Sequence, residues 1–347
     1  MKINNSEIGP KHPPYVIAEM SANHHQDFDI AVKIIEAAKD AGADAVKLQT
    51  YTPDTLTIKC SRPDFMIKGT LWEGRQLYDL YQEAYTPWEW HPRLKQKADE
   101  IGIDLFSTPF DPSAVDFLEL LDMPAYKIAS FELTDIGLLK AVAKTDKPII
   151  LSTGMATLAE IDEAVLTLRD AGCSELALLK CTSAYPADAR DANLAVIPFL
   201  SRTFDLPAGL SDHTLGSTTA VAATALGANI IEKHFCLSRK TKGPDTPFSM
   251  TPEEFKQMVK DIKAAYHATG TINFDLSYKE KQSIIFRRSL YVIEDIRAGQ
   301  KFTRKNIRSI RPGYGLHPRH LDNIMGKKAA GAISKGTPLS WDLFLQP

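Results

Sequence analysis

The sequence has little cysteine and no long run of apolar residues. Its four cysteines form no CxxC pair, so neither a disulfide framework nor a zinc–thiolate site is expected, and the thiols should be reduced. The start, MKINNSEIGPKHPP, lacks the apolar segment of a signal peptide, and no stretch approaches the roughly 18 unbroken apolar residues of a membrane span. These absences exclude a disulfide-stapled module and a membrane protein, and they predict a cytoplasmic protein.

Common nucleotide and hydrolase motifs are absent too. The sequence contains no P-loop, no GxGxxG, no HExxH and no GxSxG string. The nearest glycine string, GYGLHP at 313–318, lacks the third glycine and opens no helical pattern. No organic cofactor is therefore expected.

The residues that are present have the proportions of a folded protein. Of 347 residues, 44% are hydrophobic and 24% are charged, near the averages for globular proteins, and this length predicts one large domain plus a smaller one. The net charge of −2 is unevenly distributed: residues 279–347 contain 14 lysines and arginines against 5 acidic residues, and the rest contain 27 against 38. A basic C-terminal part is typical of contact with nucleic acid, with a phosphate-bearing ligand or with an acidic surface on a partner chain.

Short apolar runs alternate with amphipathic helical patterns between residues 15 and 268. The predicted strands are 15–19, 44–50, 103–108, 124–129, 147–152, 175–180, 207–210 and 229–235. Capping-box strings that begin at Thr86, Thr157 and Thr251 predict three helix starts between or after them. Eight strands with interleaved helices favour a (β/α)8 TIM barrel, of mixed α/β class, over a doubly wound sheet.

The chain divides by pattern into three parts. Residues 1–270 form the predicted TIM-barrel catalytic domain, 271–283 form a polar linker, and 284–347 form a small β-rich domain. Within the barrel, the segment 51–85 is too long for an ordinary loop between a strand and a helix, and loops of this length are usually functional.

Polar residues follow nearly every predicted strand, where a parallel barrel carries its catalytic groups. Lysines and hydroxyl residues at these ends would form a cationic cradle suited to phosphate or carboxylate; they are Lys47, Thr108, Lys127, Ser130, Ser152, Ser183 and Ser211. Taken singly, each hydroxyl could instead satisfy a turn or cap a helix.

Two histidines and three glutamates stand at the same ends. His213 and His234 follow neighbouring strands and could share one divalent Lewis-acid ion such as Mn²⁺ or Mg²⁺; alternatively, they are hydrogen-bonded core residues. Glu19, Glu132 and Glu232 could include a general base, or they could pair with buried lysines.

Taken together, the strand-end strings resemble the sialic acid synthase family, whose members condense phosphoenolpyruvate with an amino sugar aldehyde. The strings are IAEMSANH (17–24), KLQTYTPD (47–54), FSTPF (106–110), YKIASFE (126–132), LSTGMAT (151–157), KCTSAYP (180–186), GLSDHT (209–214) and EKHF (232–235). The C-terminal strings SLYVIEDIRAGQ and RPGYGLHP resemble the antifreeze-like (SAF) domain that ends these enzymes. The resemblance spans nearly the whole chain.

The resemblance implies a role for each site residue. His213 and His234 would bind a divalent metal (Mn²⁺, Mg²⁺ or Co²⁺), and the cradle of lysines and hydroxyls would surround phosphoenolpyruvate. The resemblance also implies residues that lie beside the reacting sugar or water or act as catalytic groups. They are Glu19, Gln49, Glu132, Tyr185 and Glu232. Arg311 resembles an arginine that reaches the barrel of the other subunit in a domain-swapped homodimer. Such a dimer accounts for the charge asymmetry without nucleic acid.

Several details resemble the pseudaminic acid branch of the family. They are Ser183 in CTSAYP, the string EMSANH, the segment 67–91 and the GLHP after RPGY. This branch implies 2,4-diacetamido-2,4,6-trideoxy-L-altrose as the sugar. The aromatic residues Trp72, Tyr78, Tyr81 and Trp88 could face its apolar patches, or they could be core.

Other functions remain open on the sequence alone. The chain could act on the sugars of N-acetylneuraminate or legionaminic acid synthesis within the same family. It could be a Schiff-base pyruvate aldolase, since Lys127, Lys180 and Lys233 lie at or near strand ends. A non-catalytic carbohydrate-binding protein would leave the histidine pair and the cationic cradle unexplained.

Overall fold

Eight parallel strands close into a barrel in the computed structural model, which describes residues 1–345. The strands of the described chain are β1 (Lys2–Ile3), β2 (Ser6–Glu7), β3 (Tyr15–Glu19), β4 (Ala45–Thr50), β5 (Asp104–Pro109), β6 (Tyr126–Ile128), β7 (Ile149–Ser152), β8 (Leu176–Cys181), β9 (Ala208–Asp212), β10 (Ile230–His234), β11 (Ser289–Val292) and β12 (Ile307–Ile310). Strands β3 to β10 pair in chain order, and β10 closes the ring on β3. Each barrel strand overlaps a predicted one, so the predicted TIM barrel is confirmed.

The α-helices within residues 1–270 cover the outside of the barrel and extend its mouth. They are α1 (Phe28–Asp40), α2 (Pro53–Leu56), α3 (Leu77–Ala84), α4 (His91–Ile101), α5 (Pro112–Glu119), α6 (Ile136–Ala143), α7 (Leu158–Asp170), α8 (Val196–Phe204), α9 (Thr218–Ala225) and α10 (Pro252–Thr269). Two further helices, α11 (Tyr278–Ser283) and α12 (Leu321–Ile324), lie after residue 270. Thr157 and Thr251 begin α7 and α10 with reciprocal capping boxes, as predicted.

The helix start predicted at Thr86 is wrong. The chain first makes a 3₁₀ turn at Trp88–Trp90, and α4 begins only at His91. Thr86 Oγ1 instead lies 3.2 Å from Nε2 of the buried His24. Because the Thr86 hydroxyl bonds to this imidazole, it satisfies no backbone donor of a helix.

Apolar residues fill the barrel at the end opposite the polar strand ends. The N-terminal hairpin of β1 and β2, which the sequence pattern does not predict, brings Ile3 and Ile8 against Tyr15, Ile17 and Phe106 inside the barrel. Its two-residue strands are too short to show an alternating pattern. With this end closed, the C-terminal ends of the strands are the ones left to form a site.

A buried ion pair lies between the barrel and α9. Lys233 and Asp212 are register partners on β10 and β9, and Lys233 Nζ donates to Asp212 Oδ2 at 2.7 Å. Thr219 of α9 donates to the same carboxylate oxygen. Because side chains alternate along a strand, this outward pair directs the next residues, His213 and His234, toward the barrel mouth.

The residues from Thr271 on form a second unit with its own apolar core. Strands β11 and β12 pair antiparallel, and the other strand pairings in the described part of this unit are isolated bridges. Helix α11 lies inside the predicted linker 271–283, where Ser277 and Glu280 form its capping box; the string SYKE at 277–280 is the sequence signal for it. No helix within residues 1–345 is both long and apolar enough to cross a lipid bilayer.

Candidate active site

The C-terminal ends of the barrel strands surround a deep cavity of about 60 Å³. Most of the predicted site residues line it: Glu19, Lys47, Gln49, Lys127, Ser130, Ser152, Tyr185, Ser211, His213, Glu232 and His234. Residues from almost every strand of the barrel therefore meet at one place, as the order of their motifs predicts.

The other predicted site residues lie around or apart from this cavity. Thr108 pairs in register with Gln49, and its buried hydroxyl has no hydrogen-bond partner within residues 1–345. Ser183 does not line the cavity, and its hydroxyl lies 3.8 Å from Sγ of Cys181, which does. Glu132 lines a larger chamber further out. Arg311 is exposed in the second unit, and its role remains a prediction.

A lysine between two carboxylates dominates the charge of the deep cavity. Lys47 Nζ lies 2.8 Å from Glu232 Oε1 and 3.2 Å from Glu19 Oε2, and all three side chains are buried. Burial raises the pKa of Glu19, against the lowering effect of Lys47. Burial also acts to raise the pKa of Glu232, but Lys47, Lys127 and a hydrogen bond from Ser211 hold it well below its usual range. Glu232 is therefore the ionised partner of Lys47, and Glu19 is the carboxyl that can carry a proton.

Lys127 points into the cavity with its charge only partly neutralised. Its Nζ donates to Ile128 O at 2.9 Å and to Ser152 Oγ at 2.6 Å. Burial lowers the pKa of Lys127 to about 8, although Glu232 acts to raise it. An anion bound beside Lys127 would raise this pKa again, because an opposite charge favours the protonated amine.

A glycine allows two serine hydroxyls to converge beside Lys127. Gly154 N donates to Ser130 Oγ at 3.0 Å. A Cβ atom at Gly154 would lie 2.3 Å from Ser183 Oγ and 2.7 Å from Ser130 Oγ. Only glycine leaves room for this cradle of hydroxyls, and the string LSTGMAT, in which Gly154 follows a strand-end Ser-Thr, is the sequence signal for it.

The two histidines form a donor set that fits a divalent metal ion. Their ring centroids are 5.4 Å apart. His213 Nδ1 lies 3.0 Å from Thr182 O, which assigns the proton to Nδ1 and leaves Nε2 as a free ligand atom. Nδ1 of His234 is buried without a hydrogen-bond partner in the described chain, and burial lowers the pKa of His234 well below its usual value. Both rings can therefore present a lone pair.

The surroundings of the pair bear on how a metal would bind. Burial acts to lower the pKa of His213, but the nearby Cys181 thiol and the Thr182 carbonyl raise it overall, so a metal would compete with a proton there. Residues 1–345 hold no cluster of three or more His, Cys, Asp or Glu side chains arranged around one metal position. Substrate or water would have to complete the coordination.

Tyr185 separates the deep cavity from an outer chamber of about 520 Å³. Its ring lies 4.4 Å from His213 and 5.6 Å from Trp72, centroid to centroid. Gln49, Tyr185 and His234 line both spaces. A ligand in the outer chamber therefore reaches His234 directly, whereas His213 lines the deep cavity.

The outer chamber has a polar side that sequence reasoning identified only in part. Burial raises the pKa of Glu132 to about 7. Asp245, buried in the loop after β10, accepts hydrogen bonds from Ser21 Oγ and Ala22 N. The sequence analysis quoted Ser21 only as part of the string IAEMSANH and gave it no role. It missed Asp245, which stands in a loop without a periodic pattern.

The predicted aromatic contacts divide into two kinds. Trp72 and Tyr81 line the chamber. Tyr78 donates to Asp54 instead, and Trp88 stacks on Phe117 at 4.8 Å. The segment 51–85 therefore supplies chamber wall, whereas Tyr78 and Trp88 hold neighbouring parts of the chain together.

A further cavity of about 590 Å³ lies on the surface beyond Trp72. Its arginines are already paired, Arg75 with Glu83 and Arg239 with Glu254. None of the predicted site residues lines it. The chemistry therefore belongs to the smaller cavity and the chamber at the strand ends.

Comparisons with known proteins agree with this architecture. The NeuB family model matches residues 34–273, and the SAF domain model matches residues 287–345. The chain is 46% identical to the pseudaminic acid synthase of Helicobacter pylori, over 95% of this chain and 97% of that protein. It is 36% identical to the N,N'-diacetyllegionaminic acid synthase of Legionella pneumophila, over 94% of both.

A solved structure shares the fold over the full length. The crystal structure of the spore coat polysaccharide biosynthesis protein SpsE of Bacillus subtilis matches with a TM-score of 0.68 and 32% sequence identity. The match covers 100% of this chain and 99% of that one.

Proposed function

This chain belongs to the NeuB family, and we propose that it condenses phosphoenolpyruvate and water with 2,4-diacetamido-2,4,6-trideoxy-L-altrose to give pseudaminic acid and phosphate. The observation that carries the proposal is the junction, at one barrel mouth, of a deep cavity that contains Lys47, Lys127 and the histidine pair and a wider chamber that shares His234 with it. The higher identity to a pseudaminic acid synthase than to a legionaminic acid synthase supports this sugar.

The deep cavity suits phosphoenolpyruvate. Lys127, Ser130 and Ser152 supply donors on one side, and Lys47 supplies a second cation held by Glu232. Donors fixed before the ligand arrives need little reorganisation, which favours anion binding in a site shielded from water.

We propose that His213 and His234 hold a divalent ion such as Mn²⁺, Mg²⁺ or Co²⁺. Such an ion, when bound, supplies a Lewis acid for the aldehyde oxygen of the sugar. The free Nδ1 of His234 and the hydrogen bond that orients His213 support these two residues as its ligands.

The chain's own carboxyl groups would donate and accept the protons of the reaction. The π electrons of the C2–C3 bond of phosphoenolpyruvate form the new bond from C3 to the aldehyde carbon, and the aldehyde oxygen becomes a hydroxyl with a proton held by Glu19. Water adds to C2 and loses a proton to Glu132. Phosphate then leaves with cleavage of its bond to C2 and takes up the remaining proton of the added water, and C2 becomes the ketone carbon of the product.

Phosphate release from phosphoenolpyruvate with Mn²⁺ present tests this function. We expect release with 2,4-diacetamido-2,4,6-trideoxy-L-altrose and little release with N-acetylmannosamine or with the sugar of legionaminic acid synthesis. Release with one of the latter sugars alone would assign the chain to that branch. Release with none of them would refute the condensation itself.

The aldolase alternative makes a separate prediction. Of the lysines considered, Lys127 lines the deep cavity, whereas Lys233 is paired with Asp212 behind the barrel wall and Lys180 donates to Cys181 O and Thr182. Treatment with pyruvate and borohydride would leave a covalent adduct on an aldolase. We expect no adduct.

We also propose a domain-swapped homodimer in which Arg311 completes the site of the other subunit. Apolar residues near the start of the second unit support a partner surface, because Ile272 and Phe274 are 96% and 95% exposed and Phe286 is 59% exposed. Large apolar side chains that are this exposed are typical of an interface when they share one surface.

Mixing two inactive variants tests the swapped dimer. The variants His234→Ala and Arg311→Ala are each expected to be inactive. If subunits exchange, half of the dimers carry one intact site, so about a quarter of the unmodified activity should return. A dimer that recovers no activity after subunit exchange, or a protein that sediments as a monomer, would exclude the shared site.

A further inference from the structure

The short helix α3 has one apolar face. Leu77, Leu80, Tyr81 and Ala84 follow the spacing i, i+3, i+4, i+7, which places them on one side of the helix. The opposite side carries Asp79, Gln82 and Glu83, which are exposed. In a globular protein such an apolar stripe ordinarily packs on the core.

In this chain the stripe faces the outer chamber instead. All four residues line that chamber, and none of them belongs to the apolar core between the barrel and its helices in the described chain. An isolated helix of eight residues is unstable in water, so α3 depends on what its apolar face contacts. This face forms part of the wall of a cavity that is large enough for a sugar.

Aromatic rings extend the apolar wall from α3 toward the barrel. Tyr51 contacts Tyr81 edge to face at 5.8 Å and Phe110 at 5.1 Å, centroid to centroid. Trp72 Nε1 donates to Pro244 O at 3.1 Å and so joins the segment 51–85 to the loop after β10. The apolar wall is therefore fixed at two places, by the ring contacts of Tyr51 and by the hydrogen bond from Trp72 to the loop after β10.

The wall of the chamber is polar in part and apolar in part. Gln49, Glu132 and Asp245 supply polar groups, and α3 with its neighbours supplies apolar ones. A ligand that fills the chamber from His234 to α3 therefore meets both kinds of surface.

We infer that the apolar face of α3 is a specificity wall that accepts methyl groups at the far end of the sugar and selects a 6-deoxy sugar over the same sugar with a C6 hydroxyl. This inference rests on the proposed function. A hydroxyl against Leu77 and Leu80 would lose its hydrogen bonds to water without gaining a partner from these side chains. Apolar pockets reject an added hydroxyl by up to about 100-fold.

The test compares kcat/KM for 2,4-diacetamido-2,4,6-trideoxy-L-altrose and for its 6-hydroxy counterpart. In the unmodified chain we expect a preference for the deoxy sugar of about 10-fold or more. Leu77→Asn should reduce this preference severalfold, because it places an amide on the wall, and should leave the KM for phosphoenolpyruvate unchanged. Gln82→Asn introduces the same residue on the opposite face of the same helix and should leave the preference intact.

The possible outcomes separate a failure of the specificity wall from a failure of the proposed function. No phosphate release with either sugar would refute the proposed function. Release with both sugars at equal kcat/KM would refute the specificity wall alone, and so would an unchanged preference in a folded Leu77→Asn variant. If Leu77→Asn does not fold, Ala84→Leu replaces it, because leucine favours helix and its larger side chain enters the chamber. This variant should raise the KM for the sugar, and an unchanged KM would overturn the inference.

Discussion

Replacing His234 by alanine should lower the rate of phosphate release by about 10³-fold or more, because a Lewis-acid ion supplies several kcal/mol and each 1.36 kcal/mol is a tenfold change in rate. The same variant should bind Mn²⁺ much more weakly, which a titration followed by electron paramagnetic resonance measures without any turnover. Folding should change little, because His234 lies at the open end of β10.

His267→Ala is the matched control for this prediction. His267 is exposed in the last turn of α10, away from the strand ends, so its removal should alter neither Mn²⁺ binding nor rate. Full activity of the unmodified chain after exhaustive removal of divalent ions would contradict the metal role of the histidine pair. Unchanged Mn²⁺ affinity in His234→Ala would contradict the choice of this ligand.

Glu132→Gln should lower the rate by about 10² to 10⁴-fold, the range typical of a lost general base. Burial raises the pKa of Glu132 to about 7. The carboxylate that accepts the proton of water is therefore lost as the pH falls through about 7, and the rate of the unmodified chain should fall with it. In Glu132→Gln this acidic limb of the pH–rate profile should disappear together with most of the rate.

Two other carboxyl groups, Glu19 and Glu163, help to test whether the acidic limb of the pH–rate profile belongs to Glu132. Burial also raises the pKa of Glu19, but Glu19 acts in its protonated form, so its titration would lower the rate as the pH rises. An acidic limb that persists in Glu132→Gln therefore belongs to a group other than Glu132 and Glu19. Glu163→Gln removes an exposed carboxyl on α7 and should change neither rate nor profile. A Glu132→Gln variant with normal activity would move the role of base to another residue.

Much of the barrel was predictable because its signals are local. Each strand is a short apolar run that ends in polar residues, as in Tyr15–Glu19 and Ile230–His234. Capping boxes at Thr157 and Thr251 depend on four consecutive residues. The same box at Thr86 failed, because the buried imidazole of His24, distant in sequence, takes its hydroxyl.

Residues that follow strand ends were mostly brought together as predicted, and residues in longer loops were not identified. His213 and His234 could be paired from sequence, because neighbouring strands of a parallel barrel end side by side. Asp245 and Ser21 could not, because they meet through two loops whose paths no pattern specifies. The apolar face of α3 shows a helical period in the sequence, but the period alone cannot distinguish a chamber wall from core.

The sequence by itself determined the order of the strands, the polar character of their ends and the families it resembles, since these depend on residues close together in the chain. The tertiary structure decided which glutamate more readily carries a proton, because Lys47, Lys127 and a hydrogen bond from Ser211 lower the pKa of Glu232, whereas burial raises that of Glu19. It also decided that α3 faces a cavity. Electrostatic shifts and cavity walls arise from side chains that different strands and loops bring together, and no single segment encodes them.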